Sequence, residues 1–208
     1  MSMNLKERLE QLDLIDVYNY VMDKNPSKDL PYHSNYHLEQ VTKLSIMGCE
    51  FHKISHPVQR LVATAALFHD FDHSGSGKDD NKNIIRSVIG FMEFNHENKL
   101  FEDEEEMIII NMIKETRYPY LKECHQLNIM QQILRDSDIL QAPFAENYIE
   151  RVVLAIAKEA NLTPQQMLAG QIGFMTSTKF CTDWATNLYN EVLPEAIQKV
   201  EQAKLEYD

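Results

Sequence analysis

The chain has 208 residues, 44% of them hydrophobic and 25% charged, with a formal net charge of −12 at pH 7. That length can bury a full core within one domain, 1–208, and the balance is that of a soluble globule. Such an acidic surface repels phosphate backbones and excludes non-specific nucleic-acid binding, although a bound cation can reverse the sign locally for a small phosphorylated ligand.

The low counts of 6 Gly and 7 Pro favour long regular elements over a turn-rich β fold. Cys49, Cys124 and Cys181 are odd in number, far apart and in no CxxC arrangement, so they read as reduced thiols in a cytoplasmic protein. The N-terminus turns charged at Lys6, Glu7 and Arg8 without the apolar stretch of a secretory signal. The longest apolar run, 61–68, is far short of a membrane span, so no membrane partner is expected.

In chain order, Leu5, Leu9, Leu12, Ile15, Tyr18 and Val21 recur at intervals of three and four, predicting one amphipathic helix over 5–24 that stops at Asn25-Pro26. A second helix is expected from Ser34 or Asn35 to about Lys53. A third opens at His56-Pro57, with proline in its first turn, and ends near Phe68. Ser74 to Asp80 is a polar loop, and 80–95 reads as a helix with Ile84, Ile85, Val88, Ile89 and Phe91 inward. The acidic run 102–106 suits the positive end of a helix dipole and reads as a solvated helix start. Tyr118-Pro119-Tyr120 breaks the chain. Helices follow over 127–139, 145–161, from Thr163-Pro164, and over 183–205 with a bend at Pro194. No alternating strand pattern or repeat is present, so the fold class is all-α.

Chemistry concentrates where the third helix runs out. His69, Asp70, Asp72 and His73 offer four potential ligands or proton carriers within five residues, followed by Gly75 and Gly77. Imidazole beside carboxylate suits Zn, Mn, Fe or Mg rather than a thiolate metal. His37 lies inside the second helix with His33 four residues earlier. In Asp136-Ser137-Asp138, one carboxylate must be partly buried between Ile133-Leu134 and Ile139-Leu140, where a metal, a cap or an ion pair with Arg135 would satisfy it. Gln171 and Phe174, three residues apart, share a helix face.

Taken together, these residues resemble the HD-domain metallophosphohydrolases, whose spaced His, His-Asp and Asp pattern falls on His37, His69-Asp70 and Asp136. The likeness is closer to the catalytic domain of class I cyclic-nucleotide phosphodiesterases. Their Tyr-His-Asn-x-x-His-x-x-x-Val motif is matched at Tyr32, His33, His37 and Val41, and their His-Asp-x-Asp-His-x-Gly motif at His69, Asp70, Asp72, His73 and Gly75. Their Gln-x-Gly-Phe-[Ile/Met] motif is matched at Gln171, Gly173, Phe174 and Met175. Glu93 with His96, and Thr116 before Tyr118-Pro119, are weaker likenesses. Ser34, Gln40 and Ile139 depart from the family pattern, the last where the family keeps an Asn near the nucleobase.

The resemblance implies a compact HD-type helical bundle and a two-metal phosphodiesterase acting on a cyclic nucleotide or related small phosphodiester. It assigns two divalent ions (Zn, Mg, Mn or Fe) to His37, His69, Asp70 and Asp136. It makes His33 the general acid, with His73 and Glu93 ordering waters as further catalytic residues, and it gives substrate contacts to Tyr32, Thr116, Leu154, Gln171 and Phe174. The alternatives are an HD-type nucleotidase acting on a nucleotide monoester, which would not need a proton donor at His33, and a non-catalytic nucleotide-binding domain.

Overall fold

In the computed structural model, residues 4–144 and 147–207 are described, and among them are ten α-helices and no strand. In chain order these are α1 (Leu5–Gln11), α2 (Ile15–Lys24), α3 (Asn35–Phe51), α4 (His56–Phe68) and α5 (Asp80–Asn98). After them come α6 (Asp103–Lys114), α7 (Ile129–Phe144), α8 (Leu154–Glu159), α9 (Pro164–Ser177) and α10 (Asp183–Tyr207). A π-helical turn, Ile149–Val153, leads into α8.

α4 organises the packing because its last two turns, 61–68, carry no charged side chain. Every residue from Leu61 to Phe68 is buried, and a helix apolar all round must be enclosed. α3, α2, α5, α6 and α7 surround it. A second apolar cluster joins Tyr148, Val152, Leu168, Met175 and Val200 of the C-terminal helices. Trp184, Tyr189, Leu44 and Leu140 bridge α10 to α3 and α7.

The predicted helix over 5–24 is two helices. Asp13 adopts φ 54°, a left-handed conformation that Asp tolerates better than most residues. Leu14 N–H then bonds the Leu9 carbonyl at 2.8 Å. That break lets Leu9, Leu12 and Leu14 all turn inward, at no more than 1% exposure, which a continuous helix could not do. Proline and capping residues fall where expected at the starts of α4 and α9, where Thr163 and Gln166 cap each other's backbone reciprocally. The acidic run opens α6, with Glu102 and Glu105 forming a reciprocal cap. Pro143 and Pro194 lie inside α7 and α10. Of the helix expected over 145–161, positions 145 and 146 lie outside the described residues.

The cysteine reading is overturned. Cys124 and Cys181 form a disulfide that closes a sequence separation of 57, and only Cys49 is a free, buried thiol. Spacing along the chain carries no signal for this pair, because it joins the turn after α6 to the segment before α10. No helix among the described residues is long and apolar enough to cross a membrane.

Candidate metal centre and cleft

The turn at 69–75 is built by local chemistry. α4 ends at Phe68, Phe71 N–H bonds the Phe68 carbonyl, and His73 N–H bonds the Asp70 carbonyl. Asp72 takes φ 60° and Gly75 φ 72°, so the chain reverses twice within four residues. Asp72 is thus a turn residue, and its N–H donates to Asn25 Oδ1 at 3.0 Å. The same buried Asn25 accepts from Ser27 and donates to Asn35 Oδ1 at 3.0 Å. One amide therefore ties the end of α2 and the start of α3 to the turn. Behind the turn, Phe71 lies on Gly90 of α5, where an added Cβ would meet its ring at 2.3 Å.

This scaffold brings four donor groups to one point, His37, His69, Asp70 and Asp138, with one ligand atom from each within 4.8 Å of the others. His37 Nε2 lies 3.1 Å from His69 Nε2, 3.2 Å from Asp70 Oδ2 and 3.2 Å from Asp138 Oδ1. His69 Nε2 lies 3.3 Å from Asp70 Oδ2 and 3.5 Å from Asp138 Oδ1. His69 Nδ1 is 2.8 Å from the Ala66 carbonyl, which can only accept, so Nδ1 carries a proton and Nε2 is the nitrogen that faces inward, able to offer a lone pair once it gives up its own proton. Atoms sharing one cation at about 2.0–2.2 Å lie roughly 3.0–3.5 Å apart, so this donor set fits a metal ion both in spacing and in chemistry.

Electrostatics tighten the group. Burial alone would lower His37 and His69, yet the facing carboxylates of Asp138 and Asp70 hold both imidazoles above their ordinary value, His69 well above. Burial alone would raise the two acids, but the charge on His69 and the bonds from both imidazoles hold Asp70 well below the usual carboxylate range. Bonds from His37 and His69 likewise bring Asp138 down to about 2.

Asp136, the expected fourth ligand, is elsewhere. Its Oδ1 accepts from Cys181 N–H at 2.8 Å, and its Oδ2 from Thr182 N–H at 2.8 Å and Thr182 Oγ1 at 2.7 Å. It anchors the N-terminus of α10, and burial pushes its carboxyl up to about 6 despite these bonds. Two residues apart on one helix means about 200° of rotation, so Asp136 and Asp138 point to opposite sides.

A second group, His33, His73 and Glu159, borders the first. Glu159 accepts from the backbone N–H groups of Tyr32 at 2.7 Å and His33 at 3.0 Å, and its Oε2 lies 2.5 Å from His33 Nδ1. Burial would raise Glu159, but the His33 ring and these two N–H groups hold it below its usual range. His33 stacks on His73 with ring centroids 3.6 Å apart. Burial drives His73 down to about 4, and its ring is fixed by Gly75 N–H on Nδ1 at 3.0 Å and by the Asn83 amide 2.8 Å from Nε2.

Both groups open on a cleft of ≈ 490 Å³. Tyr32, His33, His73 and Asp138 line it, together with Gln171, Phe174, Ile139, Val152 and Ile156. Gln171 Nε2 donates to the Tyr148 hydroxyl at 2.7 Å.

Three expected residues are not brought there. Glu93 is exposed on α5, and the α5 residue that reaches the cleft is Asp80. Thr116 is buried and bonds back to the Ile113 carbonyl at 2.8 Å. Leu154 follows the π-helical turn and does not line the cleft, whose wall there comes from Val152 and Ile156. The residues alone left Asp136 and Asp138 open and the resemblance chose Asp136, whereas sequence reasoning missed Glu159 as the partner of His33 and Asn25 as the tie beneath the turn. Glu159 lies 126 residues from His33 and had no local signal. Asn25 read only as a helix stop.

No model of a known protein family matches the chain, and no curated protein matches it.

Proposed function

We propose that this protein is an HD-type, metal-dependent phosphohydrolase that acts as a phosphodiesterase on a cyclic nucleotide or a similar small phosphodiester. The observation that carries this reading is the convergence of His37, His69, Asp70 and Asp138 on one point beside a His33–Glu159 pair whose His33 lines a cleft. These four residues would hold the first of two divalent cations, and Asp70, with two carboxylate oxygens, would serve both. Such cations withdraw charge from phosphoryl oxygens and make a water nucleophilic near neutral pH.

The remaining chemistry falls to the chain itself. As the oxygen of water bonds to phosphorus and the P–O3′ bond breaks, the departing oxygen needs a proton. His33 supplies it from Nε2, because Nδ1 is held by Glu159 and the ring cannot turn away. Tyr32, whose ring meets those of His33 and His37 at 4.7 and 4.8 Å, keeps the approach narrow. His73, neutral and clamped, orders water without competing for the proton. Phe174, which lines the cleft, offers a ring face to the base. Gln171 gives one Nε2 hydrogen to Tyr148 and keeps Oε1 and its second N–H for a base edge. In this reading the protein works in the cytoplasm with its nucleotide substrates, where a reducing poise acts against the Cys124–Cys181 bond.

The test is a metal-reconstituted assay on cyclic AMP, cyclic GMP, cyclic oligonucleotides and nucleoside monophosphates. Hydrolysis of at least one cyclic substrate is expected, abolished by chelation. His33→Ala should lower kcat by about 10²–10⁴-fold, and Glu159→Gln by less, because the imidazole remains but loses its orientation. Turnover of monophosphates only, unaffected by His33→Ala, would replace this reading with a nucleotidase. Tight nucleotide binding with no turnover of any substrate would replace it with a binding domain.

A further inference from the structure

α5 carries a second surface that the cleft does not use. Ile85, Ile89 and Met92 are 50%, 48% and 44% exposed and are spaced by four and three residues, so they form one stripe along the outer side of the helix. Leu121, 75% exposed, continues the stripe across the loop after α6. Ile84, Ile85, Val88, Ile89 and Leu121 are the apolar lining of a groove of ≈ 330 Å³ that Asn81, Lys114, Glu115, Arg117, Lys122 and Arg135 also border. Single exposed apolar side chains are ordinary, whereas a contiguous group of them marks a contact surface.

The charges beside the stripe say what covers it. At about 100° per residue, Lys82 and Arg86 fall on one flank of the stripe in the first half of α5, and Glu93 and Glu97 on the same flank in the second half. All four are exposed. When two copies of such a helix pack antiparallel about a two-fold axis, each flank meets the same flank of the other copy, reversed end to end. The basic half of one then faces the acidic half of the other, and symmetry makes the pairing twice. Lys82 also has Asp79 3.1 Å away within its own chain, so Arg86 and Glu93 are the pair that defines the contact.

We propose that α5 is the contact of a symmetric dimer of this chain, in which Ile85, Ile89 and Met92 pack antiparallel on their copies and Arg86 faces Glu93 across the two-fold axis. The inference does not depend on the phosphodiesterase reading. It does place the dimer contact next to the cleft, because the loop 117–121 gives Arg117 and Leu121 to the groove and Tyr118 and Tyr120 to the cleft.

Sedimentation velocity on the full chain across a concentration series tests it. The wild type should form a dimer and Ile89→Asp should be monomeric, with unchanged thermal melts showing that these exposed substitutions leave the fold intact. Arg86→Glu and Glu93→Arg should each weaken the dimer by about tenfold, and the double exchange R86E/E93R should restore it. A wild type that stays monomeric throughout overturns the dimer and leaves the stripe to another protein. A dimer indifferent to Ile89→Asp or to the charge exchanges overturns it by placing the contact elsewhere.

Discussion

The pair Asp136 and Asp138 shows how much a single position decides. Both are acids on α7 within one turn, yet one meets two imidazoles and the other meets the start of α10. Their substitutions should therefore fail in different ways. In the proposed reading Asp138→Ala removes a donor from the cluster, so metal affinity and hydrolysis should fall by at least about tenfold while the melting temperature of the metal-free protein shifts little. Asp136→Ala leaves the N–H groups of Cys181 and Thr182 without their acceptor, which should cost about 2–4 kcal/mol in denaturant unfolding while the metal site remains. Asp136 also leaves a pH signature. Its folded pKa, about 6, lies above the ordinary carboxylate value of 3.8, so its contribution to stability is fully present below 3.8 and is lost as pH rises through about 6. Asp136→Asn should flatten that slope in melts recorded across the same range. Loss of metal binding in the Asp136 variant, with retention in the Asp138 variant, would reverse the two assignments.

At the scale of elements, periodicity located most of the helices because each buries one continuous face, and the longest apolar run, 61–68, is the enclosed part of α4. What local pattern could not supply was direction. Whether Asp136 or Asp138 faces α3 depends on how α7 is rotated against its neighbours, and both positions are flanked by the same apolar residues. The break at Asp13 was hidden because Leu9, Leu12 and Ile15 satisfy a helical period whether or not the chain turns between them. Glu159 and the Cys124–Cys181 bond are long-range meetings of elements, which no window of sequence contains. The disulfide has a consequence of its own. Closing a loop of 57 residues restricts the unfolded chain, an effect of about 4 kcal/mol in the chain-entropy account. It also holds the segment whose Cys181 N–H reaches Asp136. Cys124→Ser should therefore lower unfolding stability by about 2–4 kcal/mol and make it insensitive to dithiothreitol, whereas the wild type should lose a similar amount on reduction. An unchanged denaturation midpoint after verified reduction would show that the bond constrains nothing the fold requires.

For the molecule as a whole, the donor cluster links folding, protons and metal. Without a cation, His37 and His69 are stabilised in their protonated forms by Asp70 and Asp138. Their raised values mean that this stability is fully present below the unfolded histidine value of 6.5 and is lost as pH rises through the folded values. The lowered carboxylates act oppositely, contributing above 3.8 and losing their effect as pH falls, toward about 2 for Asp138. The metal-free cluster is therefore most stabilising between those limits and weakens on the alkaline side. A divalent cation needs the same lone pairs deprotonated, so at pH 7 binding must expel protons. A net charge of −12 adds a long-range attraction for the cation. Calorimetric titration of Mn²⁺ or Zn²⁺ into the metal-free protein, repeated in two buffers of different ionisation enthalpy, should give heats that differ in proportion to that enthalpy, with His69 the main proton source. Metal at about 100 times its dissociation constant should raise stability by about 2.7 kcal/mol, and the gain at fixed metal should grow from pH 6 to pH 8 as proton competition falls. Asp138→Asn should lose most of this stabilisation. Heats identical in both buffers, with a stabilisation independent of pH, would mean that the histidines are already neutral in the metal-free protein and that Asp70 and Asp138 do not hold their protons.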